Sequence, residues 1–154
     1  MKKNVIVSNR LPLHITKLEN SFLFEPSSGG LATGLNSVHK KNDSLWIGWS
    51  GISNDELTQK DKLYIKKSLK KDRLVGVELN KKEIDEIYFG LSNKCIWPLF
   101  HYFIELAKFN EKDWISYVEV NKKFCKKVIE NATLNSTVWV HDYQLLLLPK
   151  LIKE

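Results

Sequence analysis

Apolar residues along this chain recur in two rhythms. Val5-Ile6-Val7 is a short unbroken run that predicts a first strand over residues 4–8, and Leu45 to Trp49 and Thr137 to Val140 read the same way. Leu74 to Leu79 alternates apolar with polar residues and predicts another strand. Between these runs the spacing becomes helical. Residues 31–40 carry Leu31, Leu35 and Val38 on one face, Asp61 to Lys71 and Lys81 to Leu91 follow, and Asp113 to Asn131 predicts a long helix with Val118, Phe124, Val128 and Ile129 inward. Residues 11–26 read as a loop with a hairpin around Phe22-Leu23-Phe24. Ser92 to Phe103 begins as a loop containing Pro98 and then turns helical, and a last helix starts after the strand at Val140. Strands alternating with helices predict an α/β fold with a parallel, doubly wound, Rossmann-like sheet. Such sheets usually hold about five or six strands, and the pattern supplies four. An incomplete sheet with an open parallel edge, and hence marginal stability, is the expectation.

Composition narrows the class without naming it. A chain of 154 residues is one ordinary domain, able to bury roughly two-thirds of its unfolded surface. Its 43% apolar fraction excludes disorder. The net charge of +6 comes almost wholly from lysine, since Arg10 and Arg73 are the only arginines. Lysine pairs such as Lys66-Lys67 and Lys126-Lys127 sit at helical spacing between apolar residues, which reads as solvated outer faces and not as a nucleic-acid interface. Cys95 and Cys125 have neither C-x-x-C nor metal spacing and read as thiols in a reducing compartment. The Val5-Ile6-Val7 run is too short for a signal peptide, and Leu145 to Leu148 is far short of a membrane span, so a cytoplasmic location is expected.

The chemistry gathers where strands end. Ser8-Asn9-Arg10 caps the first strand, and a guanidinium there can grip a phosphate with two parallel hydrogen bonds or pair with a surface carboxylate. Ser27-Ser28-Gly29-Gly30 opens a helix; this is a phosphate-binding turn or a plain loop-to-helix turn, and it matches no dinucleotide fingerprint. The runs Trp46 to Gly51 and Ile96 to Tyr102 are aromatic loop entries that suit sugar stacking or core packing. His141-Asp142 ends the last strand and offers a carboxylate able to orient a nucleophilic hydroxyl. The four histidines are scattered, so no metal site is predicted.

In order along the chain stand VIVSNRLP at 5–12, SSGGLATGL at 27–35, WIGWSG at 46–51, EIDEIYFGLSNKCIWPLFHY at 83–102, VNKKF at 120–124 and VWVHDYQLLLLP at 138–149. Taken together they resemble the N-terminal part of the trehalose-6-phosphate synthases, retaining glycosyltransferases of the two-domain GT-B architecture. The resemblance implies transfer of glucose from UDP-glucose to glucose 6-phosphate, with no metal and no cofactor. By motif, Arg10 would contact the acceptor phosphate, Tyr88 and Trp97 would line the acceptor pocket, and Trp49 would lie against its sugar. Asp142 would bond the acceptor hydroxyls and orient the attack, and Gly29 and Gly30 would admit the donor diphosphate. Tyr88 rests on the resemblance alone. Residues 1–154 then correspond to an incomplete acceptor-side domain without the nucleotide-binding domain, so no turnover is expected from them alone. The alternative is a non-catalytic sugar-phosphate module that docks onto a full-length synthase or self-associates.

Overall fold

A computed structural model of the chain describes residues 4–19, 21–41 and 44–154. Strand β1 (Asn4–Arg10) lies inside a four-stranded parallel sheet, flanked on one side by β4 (Leu45–Trp49) and then β5 (Leu74–Gly76), and on the other by β6 (Thr137–Val140). Val5 pairs across to both Leu45 and Val138. Residues Val5 to Asn9 and all of β4 are buried, as expected for parallel strands covered on both faces. Alternation then sorts the side chains. Val5, Val7, Leu45 and Ile47 face one core, while Ile6, Trp46 and Leu74 face the other.

The second of these cores is closed by helices α1 (Gly30–Lys41) and α2 (Gln59–Lys71) and by a hairpin of β2 (Leu13–Lys17) and β3 (Phe22–Pro26). Thr58 and Asp61 start α2 with a reciprocal capping box. The first core is closed by α5 (Glu111–Asn131), α6 (Leu148–Lys153) and an unbroken helical stretch over residues 81–100. That stretch begins as α3 (Lys81–Ile84), widens into a π-helix over Asp85–Ile96 and ends as α4 (Trp97–Phe100). Among the described residues no helix is long and apolar enough to cross a membrane.

Several expectations need correction. The segment from Ser92 is helical through Phe100, not a loop, even though Pro98 lacks an N–H. The Lys94 carbonyl, which residue 98 would serve in an α-helix, accepts instead from the Lys108 N–H at 2.7 Å. Strand β5 stops at Gly76, three residues short. Beyond it only the Val77 N–H, donating to the Gly48 carbonyl at 2.9 Å, continues the pairing with β4, and the alternation reflects burial of Val77 and Leu79. On α5 the inward face is Tyr117, Val120, Asn121, Phe124, Cys125 and Val128. Ile129 stands about 100° round from Val128 and is 64% exposed, while Val118 is only partly buried. Phe22-Leu23-Phe24 lies in a hairpin strand, not at its turn.

Candidate functional site

After Arg10 the chain turns sharply across the end of β4. Leu11 N–H donates to the Trp49 carbonyl at 2.8 Å, and the crossing runs so close over Gly48 that a Cβ there would sit 2.8 Å from the Leu11 nitrogen. Only glycine leaves room for that approach. Ser8 fastens the bend from beneath, its hydroxyl donating to the Arg10 carbonyl at 2.6 Å while accepting the Trp46 indole N–H at 2.7 Å. The Arg10 guanidinium is thereby held between two rings, 5.2 Å from the centre of Trp49 and 4.9 Å from that of Tyr88. Trp49 is itself pinned, its indole N–H donating to the Ile52 carbonyl. Cation–π attraction to the two rings restrains the guanidinium, whose N–H groups can still donate to an anion.

Tyr88 reaches this position from the π-helix. Two residues earlier, Glu86 pairs with Lys112 at 2.8 Å and accepts from the Ser116 hydroxyl, both on α5. Burial alone would push the Glu86 carboxyl up, but those two partners outweigh it and hold it below the usual carboxylate range. The π-helix is thus bolted to α5, with Tyr88 on its open side.

The end of β6 supplies the opposite wall. His141 N–H donates to the Val7 carbonyl at 2.8 Å and extends the β1–β6 ladder by one residue. Asp142 then leaves the sheet at φ 72° and ψ 139°, a conformation essentially restricted to glycine. Its Oδ2 accepts the Asn9 N–H at 2.8 Å, tying the two strand ends together. The following turn is held from α5. The Tyr117 hydroxyl donates to the Tyr143 carbonyl at 2.7 Å and accepts the Leu146 N–H at 3.0 Å, and Asn121 donates to the Gln144 carbonyl. Burial pushes the Tyr117 phenol up, so it keeps the proton it donates. Burial and the neighbouring Tyr88 likewise push Tyr143 up.

These pieces enclose a cleft of about 280 Å³ lined by Arg10, Ser27, Ser28, Gly29, Tyr88 and Asp142 with Tyr143. Of the residues the sequence nominated, Arg10, Gly29, Tyr88 and Asp142 meet here. Trp49 acts from beneath Arg10, and Gly30 opens α1 just behind the cleft. A Cβ added at Gly29 or Gly30 would meet nothing within 4 Å, so no protein packing demands glycine at either position. Trp97 is not part of this wall; its ring is 43% exposed and stacks on His101 at 3.9 Å. Ser27 and Ser28 were visible in the sequence only as the start of a glycine turn, and Tyr143 gave no signal beyond adjacency to Asp142. A larger groove of about 540 Å³ runs along edge strand β5 between α2 and α5. It is walled by aliphatic residues, lysines, Arg73 and the acids Glu78 and Glu130, and holds neither Arg10 nor Asp142, so the groups nominated at the ends of β1 and β6 converge on the smaller cleft.

Comparison with known proteins fits this geometry. A family model described as glycosyltransferase family 20 matches residues 2–154. The chain belongs to this family. An alpha,alpha-trehalose-phosphate synthase (UDP-forming) of Candida albicans is 36% identical over 154 residues, covering 99% of the chain and 32% of the relative. Among solved structures, the Escherichia coli protein bound with UDP-2-fluoro glucose superposes with a TM-score of 0.72 at 27% identity, covering 99% of the chain and 30% of that protein. A Burkholderia xenovorans alpha,alpha-trehalose-phosphate synthase in complex with glucose-6-phosphate gives 0.71 at 25% identity, covering 98% and 30%. This family 20 chain therefore spans about a third of the length of the curated relatives it matches.

Proposed function

We propose that this chain carries the acceptor half-site of a retaining glucosyltransferase that moves glucose from UDP-glucose to glucose 6-phosphate, as trehalose-6-phosphate synthases do. The observation that carries the reading is the Arg10 guanidinium set against the rings of Trp49 and Tyr88 and lining one cleft with the Asp142 carboxylate. Arg10 takes the acceptor phosphate, with the Tyr88 hydroxyl as a second donor. Asp142, one oxygen already committed to Asn9, bonds sugar hydroxyls with the other and aims the acceptor's anomeric hydroxyl. Gly29 and Gly30, at the start of a twelve-residue helix with no acid in its first turn, leave backbone N–H groups and space for the donor diphosphate. Trp97 contributes to the acceptor pocket only if its ring leaves His101.

In this reading residues 1–154 are the N-terminal, acceptor-side domain of a GT-B enzyme whose nucleotide-binding domain lies outside them. Catalysis is front-face displacement, in which the departing diphosphate helps remove the acceptor proton, and the protein contributes positioning and charge stabilisation. No residue described here neutralises the leaving diphosphate, so the chain alone binds acceptor without turnover. Two buried free thiols, Cys95 and Cys125, suit a reducing, cytoplasmic setting. A second reading, a module that docks onto a full-length synthase or a second copy, draws on the exposed apolar side chains Phe100, Tyr102, Ile104, Leu106 and Phe109.

Calorimetric titration of glucose 6-phosphate, with glucose and Arg10→Ala as controls, separates the two. Saturable binding that requires both phosphate and Arg10 supports the half-site. Folded protein that binds nothing, yet associates with a full-length synthase on a sizing column, supports the docking module.

A further inference from the structure

Asp142 occupies a backbone conformation that costs a non-glycine residue free energy and persists only where its surroundings over-determine it. Upstream the constraint is plain, since His141 is bonded to Val7 and the Asp142 carboxylate to Asn9. Downstream it comes from α5, which does not itself reach the cleft. One hydroxyl, that of Tyr117, spans both ends of the turn after Asp142, donating to the Tyr143 carbonyl and accepting from the Leu146 N–H. Asn121 Nδ2 serves the carbonyl between them, that of Gln144 at 3.0 Å, and also its own helix at the Tyr117 carbonyl. Both side chains are buried, 1% and 0% exposed. Packing alone would be satisfied by phenylalanine at 117. What the oxygen adds is a fixed register between α5 and the turn that launches Asp142.

We propose that Tyr117 and Asn121 are positioning residues that peg the 143–146 turn so that the Asp142 carboxylate faces the acceptor sugar. The proposal rests on the acceptor half-site reading. It assigns these residues to sugar orientation and not to phosphate capture, because their hydrogen bonds go to the 143–146 turn and to α5, and neither residue lines the cleft beside Arg10.

The test is titration of the chain with glucose 6-phosphate and, separately, with inorganic phosphate. Tyr117→Phe should weaken glucose 6-phosphate binding about tenfold, as expected when two buried backbone groups lose their partner, and leave phosphate binding unchanged. Asn121→Leu, matched in size and lacking only the amide, should show the same sugar-specific loss. In an Asp142→Ala background Tyr117→Phe should cost nothing further, because both changes act through one carboxylate. Trp114→Phe, which alters only the ring stacked on Tyr117, should bind as the parent does. Parent protein that binds no glucose 6-phosphate overturns the half-site reading and this proposal with it. Parent protein that binds, with both position 117 and 121 variants binding equally well, overturns the proposal alone. An equal loss for sugar phosphate and phosphate, or an undiminished loss in the Asp142→Ala background, also overturns it by making the role merely structural.

Discussion

Asp142 shows how much one residue's backbone can reveal. At φ 72° its Cβ crowds the flanking peptide, a cost of about 1–3 kcal/mol that glycine would not bear. Replacement by alanine or by glycine removes the carboxylate in either case, but only glycine relieves the backbone. Asp142→Gly should therefore be more stable than Asp142→Ala by about 1–2 kcal/mol in chemical denaturation, with both defective in sugar binding. Equal stabilities would mean that the conformation carries no strain. Arg10 and Asp142 were legible in the sequence because a polar residue at the carboxyl end of an apolar run can emerge only at the sheet's edge. Tyr88 was not legible from pattern. It lies in a helical stretch, and a π-helix turns its residues at a period that no α-helical wheel anticipates. Tyr117 and Asn121 were not legible, since the inward face expected for this helix was Val118, Phe124, Val128 and Ile129, and the turn they hold lies more than twenty residues further along the chain.

Among the elements, the bend from β1 into β2 decides where the arginine stands. It passes over Gly48 with backbone atoms within 3.0 Å of where a side chain would begin, and backbone cannot swing aside as a flexible side chain can. Gly48→Ala should cost about 3 kcal/mol of stability and weaken phosphate binding in the fraction that folds, since Arg10 is the residue displaced. Denaturant midpoints and a phosphate titration on the same sample check both. A fully stable Gly48→Ala would show that the crossing has slack. The parallel sheet and its helices followed from the sequence because hydrophobic period reports local geometry well. Element ends did not. Strand β5 and the helix over residues 81–100 depart from the pattern where hydrogen bonding departs from burial, as when the Lys108 N–H takes up the carbonyl that Pro98 cannot serve.

For the whole molecule, one buried histidine joins three elements. His39 on α1 bonds the Ser44 hydroxyl at 3.0 Å and the carbonyl of Asp72, at the end of α2, at 2.9 Å, and its ring packs edge-on against Trp46 of β4. Burial pushes its pKa below the ordinary 6.5, and nearby Arg73 adds to this, against a partial rise from the Asp72 carbonyl. The unfolded chain then takes up a proton that the folded one resists. Stability from His39 is complete above about pH 6.5 and is lost as pH falls from there through the lower folded-state value. Denaturation midpoints should drop between pH 7.5 and pH 5.5, and less steeply for His39→Gln. Identical slopes for the two proteins would remove His39 as the cause.

The Asn9–Asp142 tie joins positions 133 residues apart in sequence. A chain leaving the ribosome makes Arg10 and its bend early, yet the facing carboxylate is synthesised near the end of these 154 residues and arrives only when β6 docks beside β1. Partly folded forms accordingly have the Arg10 wall of the cleft and not the Asp142 wall. On the acceptor half-site reading, glucose 6-phosphate selects only molecules in which the longest loop has closed, so it should slow unfolding without accelerating the early steps of folding.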